Sequence, residues 1–197
     1  MPTPVFPRRL VSTVALAAAA VVVAAVPAAA HVTVSSPDAA PGGFGKLVFR
    51  VPNESDSAST TRLVVQLPTD TPFASVSTKP VPGWTVQAEP TRLDQPVEVN
   101  GATLTEAVTR ITWTARDGGL APDQFTEFEV SVGTFPEDVD RMAFPAVQTY
   151  SDGEVARWVE QVEPGAPEPE HPAPVLELAA ADDTHGHHAG TGQAADV

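Results

Sequence analysis

The sequence predicts an all-β protein, an antiparallel β-sandwich, and three observations carry that prediction. Between residues 31 and 162, short β-branched or alternating apolar runs recur at close intervals. Turn chemistry falls between them, including the pairs Asn100-Gly101, Asp117-Gly118 and Asp152-Gly153. Asn-Gly and Asp-Gly supply the positive φ angles of tight hairpins. Finally, no segment sustains a helical period, and 21 prolines in 197 residues discourage long helices.

In order, the expected strands cover 31–35, 46–51, 60–67, 84–89, 104–115, 125–134, 144–150 and 154–162. The turns between them are marked by Pro41-Gly42-Gly43, Pro52-Asn53, Pro82-Gly83, Asn100-Gly101, Asp117-Gly118-Gly119 and Asp152-Gly153. In the run from Phe125, residues Phe128, Val130 and Val132 share one face, and Glu127 and Glu129 fall on the other. That alternation predicts a half-buried strand whose glutamates face solvent.

Two flanking segments differ from this body. Residues 1–30 combine Arg8 and Arg9, an apolar run from Val11 to Val26, and Ala28-Ala29-Ala30. A basic head, a modest apolar stretch and a small-residue cleavage site predict a secretory signal peptide, cut after Ala30. Residues 163–197 alternate Pro164, Pro167, Pro169, Pro172 and Pro174 with acidic and small residues, which predicts a disordered tail. The tail holds His171 and, further on, Asp182, Asp183, His185, His187 and His188, a group able to capture Cu(II) or Zn(II) weakly. Past the signal no apolar run is long enough to span a membrane, so the expectation is an exported protein with no anchor in the chain.

Composition excludes several functions. The formal charge is −14, and loss of two arginines with the signal peptide makes it −16. Such a chain lacks the basic patches that nucleic-acid binding needs, and its field favours cations. There is no cysteine, which removes thiolate catalysis, thiolate zinc sites and blue-copper ligation. Met142 is the sole methionine past the signal, so soft ligands for Cu(I) are scarce. No Gly-x-Ser-x-Gly elbow and no phosphate-cradling glycine loop occur.

With 163–197 assigned to a tail, His31 is the only histidine left to the folded body. A catalytic triad, a zinc hydrolase site or a two-histidine copper brace would each need more, and enzyme readings weaken accordingly. Cleavage after Ala30 would give His31 a free amine. That amine and the ring Nδ1 can close a six-membered chelate on a metal. Two nitrogens completed by carboxylate and water oxygens suit Cu(II). An amine pKa of about 7.7–8.0 allows the deprotonation that binding requires near neutrality.

The motifs resemble those of the YcnI-like copper-binding family. The matching residues are His31-Val32-Thr33-Val34, Arg50-Val51-Pro52-Asn53-Glu54 with Thr60-Thr61, and Pro82-Gly83-Trp84. Ile111-Thr112-Trp113, Phe125-x-Glu127-Phe128 and Gln148-Thr149-Tyr150-Ser151-Asp152-Gly153 with Trp158 continue the match in order. The resemblance implies an immunoglobulin-like or cupredoxin-like sandwich that binds Cu(II) outside the cytoplasm. It implies a monohistidine brace, in which His31 is joined by a glutamate and a nearby tryptophan. Glu54 is the first choice for the glutamate and Glu127 the second; Trp158 is the first choice for the tryptophan and Trp113 the second. Without a metal, Glu54 would be a solvated turn acid and Trp158 a core residue, while Trp84 is assigned to packing.

The resulting reading is an exported Cu(II) carrier or chaperone in copper uptake or homeostasis, not an enzyme, handing copper to a membrane transporter or another carrier. The alternatives are a metal-independent β-sandwich interaction domain and, further off, a copper-dependent oxidase.

Overall fold

The computed structural model describes residues 31–162 and 165–178. Eleven strands are formed among them: β1 (Thr33–Ser35), β2 (Phe44–Pro52), β3 (Thr60–Gln66), β4 (Ser75–Thr78), β5 (Trp84–Val99) and β6 (Ala102–Ala115). They continue as β7 (Phe125–Gly133), β8 (Arg141–Ala143), β9 (Ala146–Tyr150), β10 (Val155–Trp158) and β11 (Val175–Glu177). A four-stranded sheet has the order β1-β2-β7-β4, a five-stranded sheet β10-β9-β3-β6-β5, and β11 pairs with β8. Every strand pairing is antiparallel, as expected for a β-sandwich.

The core lies between the two larger sheets and follows the period of two. Leu47, Phe49 and Val51 of β2 and Phe128, Val130 and Val132 of β7 are buried from one side. Leu63 and Val65 of β3 and Ile111 and Trp113 of β6 meet them from the other. Phe49 packs against Trp113 at 6.3 Å and against Phe144 at 5.6 Å between ring centroids, and Trp113 against Phe128 at 4.9 Å. Trp84 meets Phe128 edge-on at 5.1 Å, the packing role expected of it.

Several strands differ from the expected bounds. β5 runs on from residue 89 to Val99 as an edge strand, with register shifts at Glu89/Pro90 and Arg92/Val97. Pro90 and Pro96 disfavour a strand there, but an edge needs fewer N–H donors and a bulge absorbs the mismatch. The Asn100-Gly101 turn closes its hairpin with φ of 49° and 76°, as predicted for that pair. β4 and β8 are additional to the expected strands, and β10 ends at Trp158 rather than continuing to residue 162.

The expected break after residue 162 requires the larger correction. Residues 165–178 form a strap rather than part of a tail: Leu176 faces Met142, and Leu176 and Leu178 are buried in the core cluster. Backbone bonds from Phe144 N–H to Pro174, Ala173 N–H to Glu160 and Leu178 N–H to Asp140 fasten it. Alternate leucines give this stretch an apolar face to bury, which outweighs its proline content. The proposed signal peptide at 1–30 and the cluster Asp182, Asp183, His185, His187 and His188 lie outside the described residues. Among those described, no helix is long and apolar enough to cross a membrane.

Candidate metal centre

One corner of the sandwich collects His31, the turn after β2, the end of β10 and the strap. Strand register explains the convergence. β1 runs antiparallel to β2 with Thr33 opposite Arg50. Two residues before Thr33, therefore, the chain lies where β2 runs out at Pro52, and Glu54 follows two residues beyond. Val32, 2 % exposed, anchors this end in the core and leaves the His31 side chain 23 % exposed at the corner.

The turn holding Glu54 is clamped by Asn53, which is itself buried. Its amide donates to the carbonyls of Ala58 and Leu120, each at 2.8 Å, and its oxygen accepts from Ser55 N–H at 2.9 Å. Leu120 is held in turn by paired backbone bonds with Thr60. Gly119 makes this approach possible, since a Cβ there, at φ 79°, would collide with the Thr60 carbonyl. The Pro52-Asn53-Glu54 motif is thus a built turn.

Trp158 is fully buried. Its indole N–H donates to Gln148 Oε1 at 3.2 Å, and Gln148 Nε2 donates to the Pro52 carbonyl at 2.9 Å and to Thr60 Oγ1 at 2.7 Å. Gln148, also fully buried, therefore fixes the indole and ties it to the end of β2. The His31 ring lies against this indole, 5.5 Å between centroids at 52°.

Glu54 is solvent-accessible, yet neighbouring protein strips enough water from its carboxyl to raise its pKa. The fields of His31 and His171 act in the opposite direction. The Tyr150 phenol has a raised pKa, first by burial and then by the Glu54 charge, with the Glu54 backbone N–H acting the other way.

The structure thus brings His31 and Trp158 into contact and places Glu54 within reach of the His31 charge. It does not bring the second choices there. Glu127 is exposed on β7 opposite Arg50 and adds to the field at Lys46. Trp113 belongs to the central core.

Two residues at this corner escaped the sequence reading. Glu168 of the strap sets Oε1 3.4 Å from His31 Nδ1, the ring atom a chelate would use. His171 packs edge-on against Trp158 at 5.1 Å and 83°, so His31 is not the only histidine of the folded body. The signal available for both was the Val175–Leu178 alternation, which predicts a paired strand and pulls the preceding residues onto the domain.

Among the described residues no three His, Cys, Asp or Glu side chains are gathered to hold a metal unaided. A centre at this corner needs one more donor. In the full chain the His31 main-chain nitrogen is part of the peptide bond to Ala30; hydrolysis of that bond would convert it to an amine ligand. With it, the donor set is amine, imidazole and carboxylate, with no thiolate or thioether, a combination suited to Cu(II).

Comparison with known proteins agrees with the motifs and the fold. Residues 31–178 match the family described as a domain of unknown function, DUF1775. The copper-binding protein CutI of Bacillus subtilis is 33% identical over 132 residues, covering 67% of this chain and 56% of CutI. The chain thus spans little more than half the length of that curated relative. An uncharacterized protein from Nocardia farcinica with an immunoglobulin-like fold is 43% identical, with a TM-score of 0.64, covering 76% of this chain and 99% of that one. The match at 31–178 takes in the strap as well as the sandwich, and the chain belongs to the DUF1775 family, the YcnI-like family its motifs resemble.

Proposed function

We propose that the domain, once cut before His31, binds one Cu(II) through the His31 amine and Nδ1 and the Glu54 carboxylate, and carries it outside the cytoplasm. The observation that carries this reading is the corner itself: His31 seated on a buried, hydrogen-bonded Trp158, with a partly desolvated carboxylate within reach of its charge. Copper binding by the relative CutI supports the choice of metal.

Each residue has a distinct part in this reading. His31 closes the chelate ring. Glu54 supplies charge compensation, and its raised pKa means that Cu(II) competes with a proton for it. Trp158 screens one side of the centre from water, and Gln148 holds the indole in place. The His31–Glu168 contact is exposed on the acid's side, so copper displaces a weak partner from Nδ1. Coordination completed by water leaves a position for transfer, which suits a carrier handing copper to a membrane transporter or a second carrier better than it suits an oxidase.

The test compares mature chain beginning at His31 with the same chain carrying one extra N-terminal residue. The mature form is expected to show nitrogen-ligated Cu(II) by EPR and to bind it at least about 100-fold more tightly, since the extension removes a whole donor. Equal affinity in the two forms would refute the brace and direct attention to His185, His187 and His188.

A further inference from the structure

We propose that His171 is a second imidazole ligand of this centre, making it a two-histidine site; the inference rests on the copper reading above. The first observation is an unpartnered atom. His171 Nδ1 is buried and, among the described residues, has no hydrogen-bond partner. Buried ring nitrogens are ordinarily paired, and one left open beside a candidate metal site has the chemistry of a ligand awaiting its ion.

The second observation is position. The rings of His31 and His171 both contact the one indole of Trp158, at 5.5 and 5.1 Å.

The third is the way His171 is held. Its N–H donates to Glu160 Oε2 at 2.6 Å, and its carbonyl accepts from Val159 and Glu160 N–H, each at 3.1 Å. Pro172 adds a bridge to Glu160. The strap is thus stitched to the residues just after Trp158, and His171 is presented from a fixed backbone. These bonds use main-chain atoms and leave the imidazole free for another partner.

The side chains of His31, Glu54 and His171 share the corner without converging on a single point. Binding would draw the partly open His31 ring and the exposed Glu54 toward His171, whose backbone the strap fixes beside the indole. Imidazole is a good Cu(II) ligand, and a second one would replace a water in the equatorial set.

The experiment uses the full mature chain with His185, His187 and His188 changed to Gln, so that only His31 and His171 can supply imidazole. Pulsed EPR of the Cu(II) form counts coupled imidazole nitrogens, and competition with a chelator gives affinity. Two imidazoles are expected, falling to one in His171→Gln and in His171→Phe, with affinity lower by about tenfold in each. The Phe variant keeps a ring against Trp158, so matching losses in the two identify the missing nitrogen as the cause. One imidazole in the parent chain, with both variants unchanged, would overturn the proposal and leave His171 as packing. Failure of the underlying reading is separate: copper binding would then be unaffected by a residue added before His31.

Discussion

Two carboxylates on opposite parts of the sandwich meet opposite surroundings. On the outer face of the four-stranded sheet, Glu129 binds Lys46 at 3.0 Å and Lys79 at 2.5 Å, and those bonds hold its pKa below the usual range. At the corner, Glu54 is exposed but partly desolvated and its pKa is raised, and the cationic groups acting on it among the described residues are imidazoles. The contrast separates an acid satisfied by its own chain from one left available to an added cation. It also explains why Glu127, the other acid the motifs offer, is poorly placed: it shares the field of Lys46.

The largest effect expected from breaking the corner is structural. Gln148→Leu removes the acceptor of the Trp158 indole N–H and the donor to Pro52 and Thr60. Buried groups left unpaired cost about 1–3 kcal/mol each, so a loss of roughly 3 kcal/mol is expected in urea unfolding. A loss under about 1 kcal/mol would show that water or local rearrangement replaces these bonds, and the corner would not be rigid. Leu176→Ala comes next, at about 2–3 kcal/mol, because it empties a buried position of the strap. Faster amide exchange across 171–178, with no change on β7, is the accompanying sign that the strap and the outer face are independent.

The sandwich was legible because its long strands carry their own evidence. β2, β3, β6 and β7 alternate over seven or more residues and end in recognisable turns. β4 and β8, of four and three residues, bury too few side chains to show a period. β11 is as short, and its partner β8 is distant in sequence, so only tertiary pairing reveals it. At the corner, the resemblance supplied His31, Glu54 and Trp158; the structure sets the His31 ring against Trp158, and Glu54 lies in the turn just past the end of β2. His171 and Glu168 were hidden by proline-rich composition, which marks both disordered tails and straps that lie extended against a domain. Counting histidines in the folded body failed for that one reason.

Glu54→Gln sharpens the contrast at the level of the ligand. The amide is nearly isosteric but a poor donor to copper, so Cu(II) affinity is expected to fall about tenfold. Removing a desolvated charge also relieves the folded state, and the metal-free variant should be no less stable than the parent at neutral pH. Affinity retained in Glu54→Gln but lost in Glu168→Gln would transfer the carboxylate role to the strap.

The smallest effect belongs to Glu129→Gln. A carboxyl whose pKa is lowered in the folded state contributes stability above its unfolded pKa, and that contribution disappears as pH falls through the lowered folded value. The variant should therefore melt slightly below the parent at pH 7, and the gap should close in acid, once Glu129 is protonated in both states. Added salt should narrow the gap at pH 7, since both lysines are exposed and the pairs are screened. Cu(II) affinity should not move. A copper defect in Glu129→Gln would mean that the two regions share one electrostatic field, and the distinction between a satisfied acid and an available one would fail.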